Sequence, residues 1–129
     1  VRVTEREVVL VLITFPEDGD VASFATCLVD ERLAACVNVL PAVESVYRWE
    51  GAVARTRERQ LIVKTTGARV EALRARVREL HPYETPEFLQ LPVTGGDDRY
   101  LAWVRDGVQV IAPSAGTDAP AGSDPTPRG

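Results

Sequence analysis

Histidine occurs once in this 129-residue sequence, at His81, and cysteine twice, at Cys27 and Cys36. Any metal or acid–base chemistry that needs a neutral imidazole must run through His81. The cysteines stand nine apart, which matches no zinc spacing, and two are too few for a disulfide framework. Each is expected as a small buried apolar residue in a reduced, cytoplasmic setting. Lysine is as scarce: Lys64 is the single ammonium side chain. Long apolar runs are missing. The longest, Val8 to Phe15, has eight residues, against about 20 for a membrane span. The opening residues, Val1 to Glu5, lack the layout of a secretion signal. A net charge of −4, without any basic block carrying interleaved aromatics, argues against a nucleic-acid partner. The motifs Gly-x-Ser-x-Gly and Gly-x-Gly-x-x-Gly and the Walker pattern are also missing. No catalytic constellation is recognised, and the expectation is of a protein that is not an enzyme.

What is present is the composition of an ordinary globular domain, 45% apolar and 26% charged. One domain is expected over 1–111. Residues 112–129 hold four prolines, three glycines and no aromatic. That segment has too little apolar surface to offset the entropy of ordering, and it reads as a disordered tail.

Apolar periodicity sets the elements. Val8 to Phe15 reads as a central strand buried on both faces. Pro16 to Asp20 breaks it and offers capping carboxylates. Val21, Phe24, Ala25, Leu28 and Val29 form a helical stripe, and this helix is expected to run out near Ala34. Cys36 to Leu40 reads as a strand ending at Pro41, and Val43 to Glu50 as another extended run, with Ser45, Tyr47 and Trp49 on one face. Gly51 marks a turn, Arg55 to Arg59 an exposed charged stretch, and Gln60 to Thr66 a further strand. Val70, Leu73, Val77 and Leu80 give a second helix over 67–81. A strand over Phe88 to Val93 and a short helix over Tyr100 to Asp106 close the chain. The order β-α-β-(β)-β-α-β-α predicts an α+β, ferredoxin-like split βαβ sandwich with extended antiparallel strands. Two helices cover one sheet face. The other, with aromatics, predicts a ligand surface or self-association.

Chemistry concentrates in His81-Pro82-Tyr83-Glu84-Thr85-Pro86-Glu87. At a helix end, the dipole raises the proton affinity of an imidazole; the plain reading is a C-capping histidine bonding the last carbonyls. The metal reading joins His81 to Glu84 or Glu87 for oxygen and to Cys36 for sulfur, a mixed set suited to copper or zinc. Pro82 and Pro86 hold their preceding residues extended, as in a rigid connector or a preformed loop at a cleft edge. Lys64 is expected to pair with Glu84 or Glu87, or else to bind an anion.

Five blocks together resemble one family. They are Leu33 to Asn38 (LAACVN), Ser45 to Gly51 (SVYRWEG), Ile62 to Thr66 (IVKTT), His81 to Glu87 (HPYETPE) and Tyr100 to Trp103 (YLAW). In order and spacing they are similar to the signature blocks of the divalent-cation-tolerance (CutA) proteins, over roughly 8–106. The resemblance implies a tight, stable homotrimer, in which strands of neighbouring subunits extend one another's sheets. It implies tolerance to copper and other divalent cations, with weak divalent-cation binding through His81 with Cys36 or Glu87, and no obligatory cofactor. It also implies a likeness to the PII signalling trimers, whose ligands sit between subunits; there Trp49, Lys64, Tyr83 and Glu84 would line a small-molecule cleft. A scaffolding trimer without a ligand is the third reading. Members tied to copper carry a further cysteine in the first strand and a second histidine. Ile13 and Leu80 stand there here, and neither side chain can ligate a metal.

Overall fold

The β-branched and aliphatic run at the start of the chain forms β1, Val8–Pro16, in the computed structural model, which describes residues 3–110. Asp20 then caps α1, Val21–Asp30, its carboxylate accepting the Ser23 N–H at 3.1 Å. The helix stops short of Ala34. Arg32 takes a left-handed φ of 59°, and the Leu33 N–H turns back to the Leu28 carbonyl. That is the reversal with which helices end, made here without glycine.

Two strands expected as broken are continuous. β2, Cys36–Trp49, passes through Pro41, and β3, Ala52–Thr66, passes through the charged stretch. The register between them shifts between Val39 and Ala42, so a bulge absorbs the proline. β2 is an edge strand, where a missing N–H costs no ladder bond. Glu50 (φ 50°) and Gly51 (φ 82°) make the turn. A single 3-10 turn, Gly67–Arg69, leads into α2, Val70–Leu80. β4, Leu89–Pro92, is short, and α3, Asp98–Gly107, is capped by Asp97.

The four strands form one antiparallel sheet in the order β2-β3-β1-β4. Each βαβ unit is split by a strand of the other, the layout expected from the sequence. Val9, Val11, Ile13 and Phe15 of β1 and Leu61 and Val63 of β3 meet Val21, Phe24 and Leu28 of α1 and Val70, Leu73 and Val77 of α2 in one core. The opposite sheet face carries Leu89 and Leu91, both exposed. β1 pairs with β3 only as far as Pro16 opposite Glu58. Beyond that, 44–49 and 52–57 pair only with each other, an arm projecting about 20 Å. Among the described residues no helix is long and apolar enough to cross a membrane. The tail expected over 112–129 lies outside the described residues.

Leu73 is fully buried between α2 and the sheet. Leu73→Ala is expected to cost about 2–5 kcal/mol, read as a lower thermal midpoint. Glu71→Ala, exposed on the same helix, is expected to stay within about 0.5 kcal/mol. Equal effects of the two would contradict this core.

Candidate functional site at the free edge of the first strand

β4 is too short to cover all of β1. Their pairing runs only from Val9 opposite Pro92 to Leu12 opposite Leu89. The Val8 carbonyl accepts the Val93 N–H at 3.1 Å, so the even-numbered carbonyls of β1 point to that side. The Thr14 carbonyl therefore faces a gap in the sheet, and His81 fills it. The ring Nε2 lies 2.6 Å from the Thr14 oxygen, and Nδ1 lies 3.0 Å from the Tyr83 backbone N. A carbonyl only accepts and a backbone N–H only donates. Nε2 thus carries the proton, Nδ1 offers its lone pair, and the imidazole is neutral. Phe15 and Phe24 meet its ring edge-on at 5.0 and 5.8 Å, and the Tyr83 ring lies tilted against it at 4.9 Å.

His81 is the C-cap of α2, its own N–H bonding the Val77 carbonyl, with ψ at 138° as the following proline demands. The ring does not bond the last helix carbonyls as a capping histidine would. Burial, at 7% exposure, pushes its pKa below the ordinary 6.5, against the smaller opposing pull of the Thr14 carbonyl and the Glu58 charge. The helix dipole was expected to act the other way; desolvation outweighs it.

From His81 the chain crosses to the other side of β1. The Tyr83 hydroxyl donates to Glu58 Oε2 at 2.9 Å, and burial followed by that carboxylate holds the phenol up to about 12. Glu58 is only 8% exposed. Gln60 Nε2, two residues on, donates to Glu87 Oε2 at 2.9 Å. Thr14, His81, Tyr83 and Glu58 thus form one hydrogen-bonded chain, and Gln60 and Glu87 a separate pair beside it. Glu58 was expected to be exposed among the charges of 55–59. Strand period places it on the face of Gln60, Ile62 and Lys64, away from the core residues Leu61 and Val63, and it is Tyr83, from the distant 81–87 segment, that meets it there.

The other candidate residues lie elsewhere. Cys36 is paired in register with Lys64, which stands opposite Leu10, about 13 Å along the strand from Thr14. It does not approach His81 within one chain. Lys64 forms no ion pair with Glu84 or Glu87; its Nζ bonds the Tyr100 hydroxyl at 3.2 Å and lies 5.5 Å from that ring. Trp49 sits at the arm tip opposite Ala52, about 40 Å along β3 from Lys64. Glu84 faces away, into a groove against α2. Among the described residues no three His, Cys, Asp or Glu side chains are grouped to hold a metal. Cys27, expected as a plain packing residue, donates to Glu31 at 2.9 Å and lies 3.6 Å from Arg76, which itself bonds Glu31 at 2.9 Å. That carboxylate, with burial, raises the thiol's pKa.

Comparison with known proteins converges on one family. The family model described as CutA1 divalent ion tolerance protein matches residues 9–107. A divalent-cation tolerance protein CutA of Thermus thermophilus is 46% identical over 97 residues, covering 75% of this chain and 94% of that one. A solved structure of the divalent cation tolerance protein Cut A1 from Thermus thermophilus superposes with a TM-score of 0.76 at 44% identity, covering 79% of this chain and 99% of that one. The structure of a periplasmic divalent cation tolerance protein CutA from Archaeoglobus fulgidus gives 0.75 at 30% identity, covering 79% and 99%.

Two outcomes follow from this geometry. A second proton on His81 would set an N–H against the Tyr83 N–H. Because the folded pKa lies below the unfolded one, the stabilisation is complete above about 6.5 and is lost as pH falls through the folded value. The thermal midpoint is expected to fall more steeply below that pH in the wild type than in His81→Gln; parallel curves would exonerate the imidazole. Tyr83→Phe removes the hydroxyl that serves buried Glu58 and is expected to cost about 1–3 kcal/mol, measured by denaturant unfolding.

Proposed function

The chain belongs to the CutA1 divalent ion tolerance family, and we propose that it serves tolerance to divalent cations as a homotrimer. The observation that carries the trimer is the arm formed by 44–49 and 52–57. A two-stranded ribbon is marginal in water on its own, yet this one exposes Val46, Trp49 and Val53, the last two at 62% and 67%. The outer edges of β2 and β4 are unpaired among the described residues, and the sheet face away from the helices carries exposed Leu89 and Leu91. Pairing edges and covering that face with further copies removes all three liabilities. Light scattering at micromolar concentration is expected to give three chain masses, and a single chain mass would refute the assembly. Val53→Glu with Leu91→Glu is expected to shift the population toward single chains.

Copper is the finer proposal for the cation, bound weakly by His81 with Glu87 of the same segment. It requires Nδ1 to exchange the Tyr83 N–H for the metal, and any part for Cys36 to come from another copy. Titration of the wild type with copper is expected to saturate and that of His81→Ala to lose the strongest site; superposable curves would reject His81 as a ligand. A cytoplasmic location is supported by two free thiols.

One observation favours a second reading, a PII-like sensor. Trp49, Lys64, Tyr83 and Glu84 are spread along the length of the sheet, so a cleft holding them can be completed only between copies. Metabolites that raise the thermal midpoint without metal would favour it. Stabilisation by no ligand and no cation would leave the scaffolding trimer.

A further inference from the structure

A second feature of the 81–88 segment lies on its outer side, away from the cluster around His81. Between α2 and this segment runs a groove of about 490 Å³, within the range of about 300–1,000 Å³ that small-ligand sites occupy. Its floor is apolar, made by buried Val77 and half-buried Pro86 and Phe88. Its walls are charged. On one side stand Arg74 and Arg78, a helical turn apart and therefore on one face of α2; on the other stands Glu84. Arg74 is taken up by Glu71 at 2.7 Å. Arg78 and Glu84 form no salt bridge with each other or with any other described residue.

An unpaired guanidinium and an unpaired carboxylate thus line one groove with an apolar floor without neutralising each other. The complement of such a surface is a short molecule with a carboxylate at one end, an ammonium at the other and an apolar body between. We propose that this groove binds a zwitterion of amino-acid type with aliphatic side chains, a free amino acid or a dipeptide. Its carboxylate meets Arg78, its ammonium meets Glu84, and its side chain covers Val77 and Phe88. Guanidinium recognises carboxylate through paired N–H donors, while the ammonium, a strongly hydrated point charge, needs only one carboxylate oxygen. The proposal does not depend on the cation reading, because none of these side chains belongs to the cluster around His81.

The test is calorimetric titration of the full chain, without metal, against L-leucine and L-leucyl-L-leucine. One of them is expected to saturate near about 1 mM, and which one does so identifies the length the groove accepts. N-acetylation or C-amidation of that ligand is expected to weaken binding about tenfold, as are Arg78→Gln and Glu84→Gln. Both positions are exposed, so the variants are expected to keep the wild-type thermal midpoint. Amide chemical-shift changes on ligand addition, confined to 74–78 and 84–88, give a reading independent of the variants. Saturation by neither zwitterion, equal binding of the blocked ligands, or indifference to both substitutions would overturn the proposal.

Discussion

The bond between the His81 imidazole and the Thr14 carbonyl holds the rest of the site in place. A sheet edge leaves backbone carbonyls that must find donors, and β4 ends before it can serve Thr14. A side chain replaces the missing strand. For that donor to be buried between Phe15 and Phe24 it has to be uncharged, and its second nitrogen has to be satisfied too. The Tyr83 N–H does this, which fixes the chain direction after α2. From that direction follow the positions of Tyr83 over Glu58 and of Glu87 against Gln60. Prolines on both sides of Tyr83 narrow the alternatives. One unpaired carbonyl thus explains why a polar segment is threaded through the interior side of the sheet edge.

A second constraint is geometric. The core between sheet and helices is complete within one chain, with Val9, Val11, Ile13, Leu28, Leu61, Leu73 and Val77 almost or wholly excluded from water. The arm and the opposite sheet face are not. A β3 of 15 residues, itself paired to a β2 of 14, meets a β1 of only nine. The surplus length has no use inside the chain, where it exposes apolar side chains on a bare ribbon. Length mismatch between neighbouring strands is therefore the feature of the fold on which the proposed homotrimer rests, more than on the exposure of any one residue.

Much of this was legible in the sequence, for identifiable reasons. Val8 to Phe15 and the stripes of both helices carry periodicities that only one packing satisfies. The alternation of Ser45, Tyr47 and Trp49 gave the faces of the arm correctly, because the parity of a strand survives whatever it pairs with. The failures share a cause. Pro41 and the charges of 55–59 were read as interruptions because local rules ignore the partner strand; an edge position tolerates the proline, and the long antiparallel partner carries the charges. Glu58 and Lys64 were misjudged because burial on the open face is set by segments far along the chain. The direction of the His81 shift failed likewise: the helix end was visible, whereas the aromatic enclosure from β1 and α1 was not.

How an occupied imidazole bears on cation tolerance is a question of magnitudes. A ligand that takes Nδ1 forfeits the Tyr83 hydrogen bond, a net loss of about 0.5–1.5 kcal/mol, and leaves a buried N–H to be served elsewhere at about 1–3 kcal/mol. Those sums set a threshold of roughly one to three powers of ten in affinity. Cations that prefer oxygen and water, such as magnesium and calcium, gain too little from a single imidazole to cross it, whereas copper stands at the top of the divalent order for nitrogen donors. With Ile13 and Leu80 unable to contribute a bond, the proposed imidazole-centred site would start from one nitrogen, with Glu87 of the same segment as its second donor. The proposed site would be weak and selective for one reason: the internal hydrogen bond competes with every cation equally, while the metal–nitrogen bond does not reward them equally.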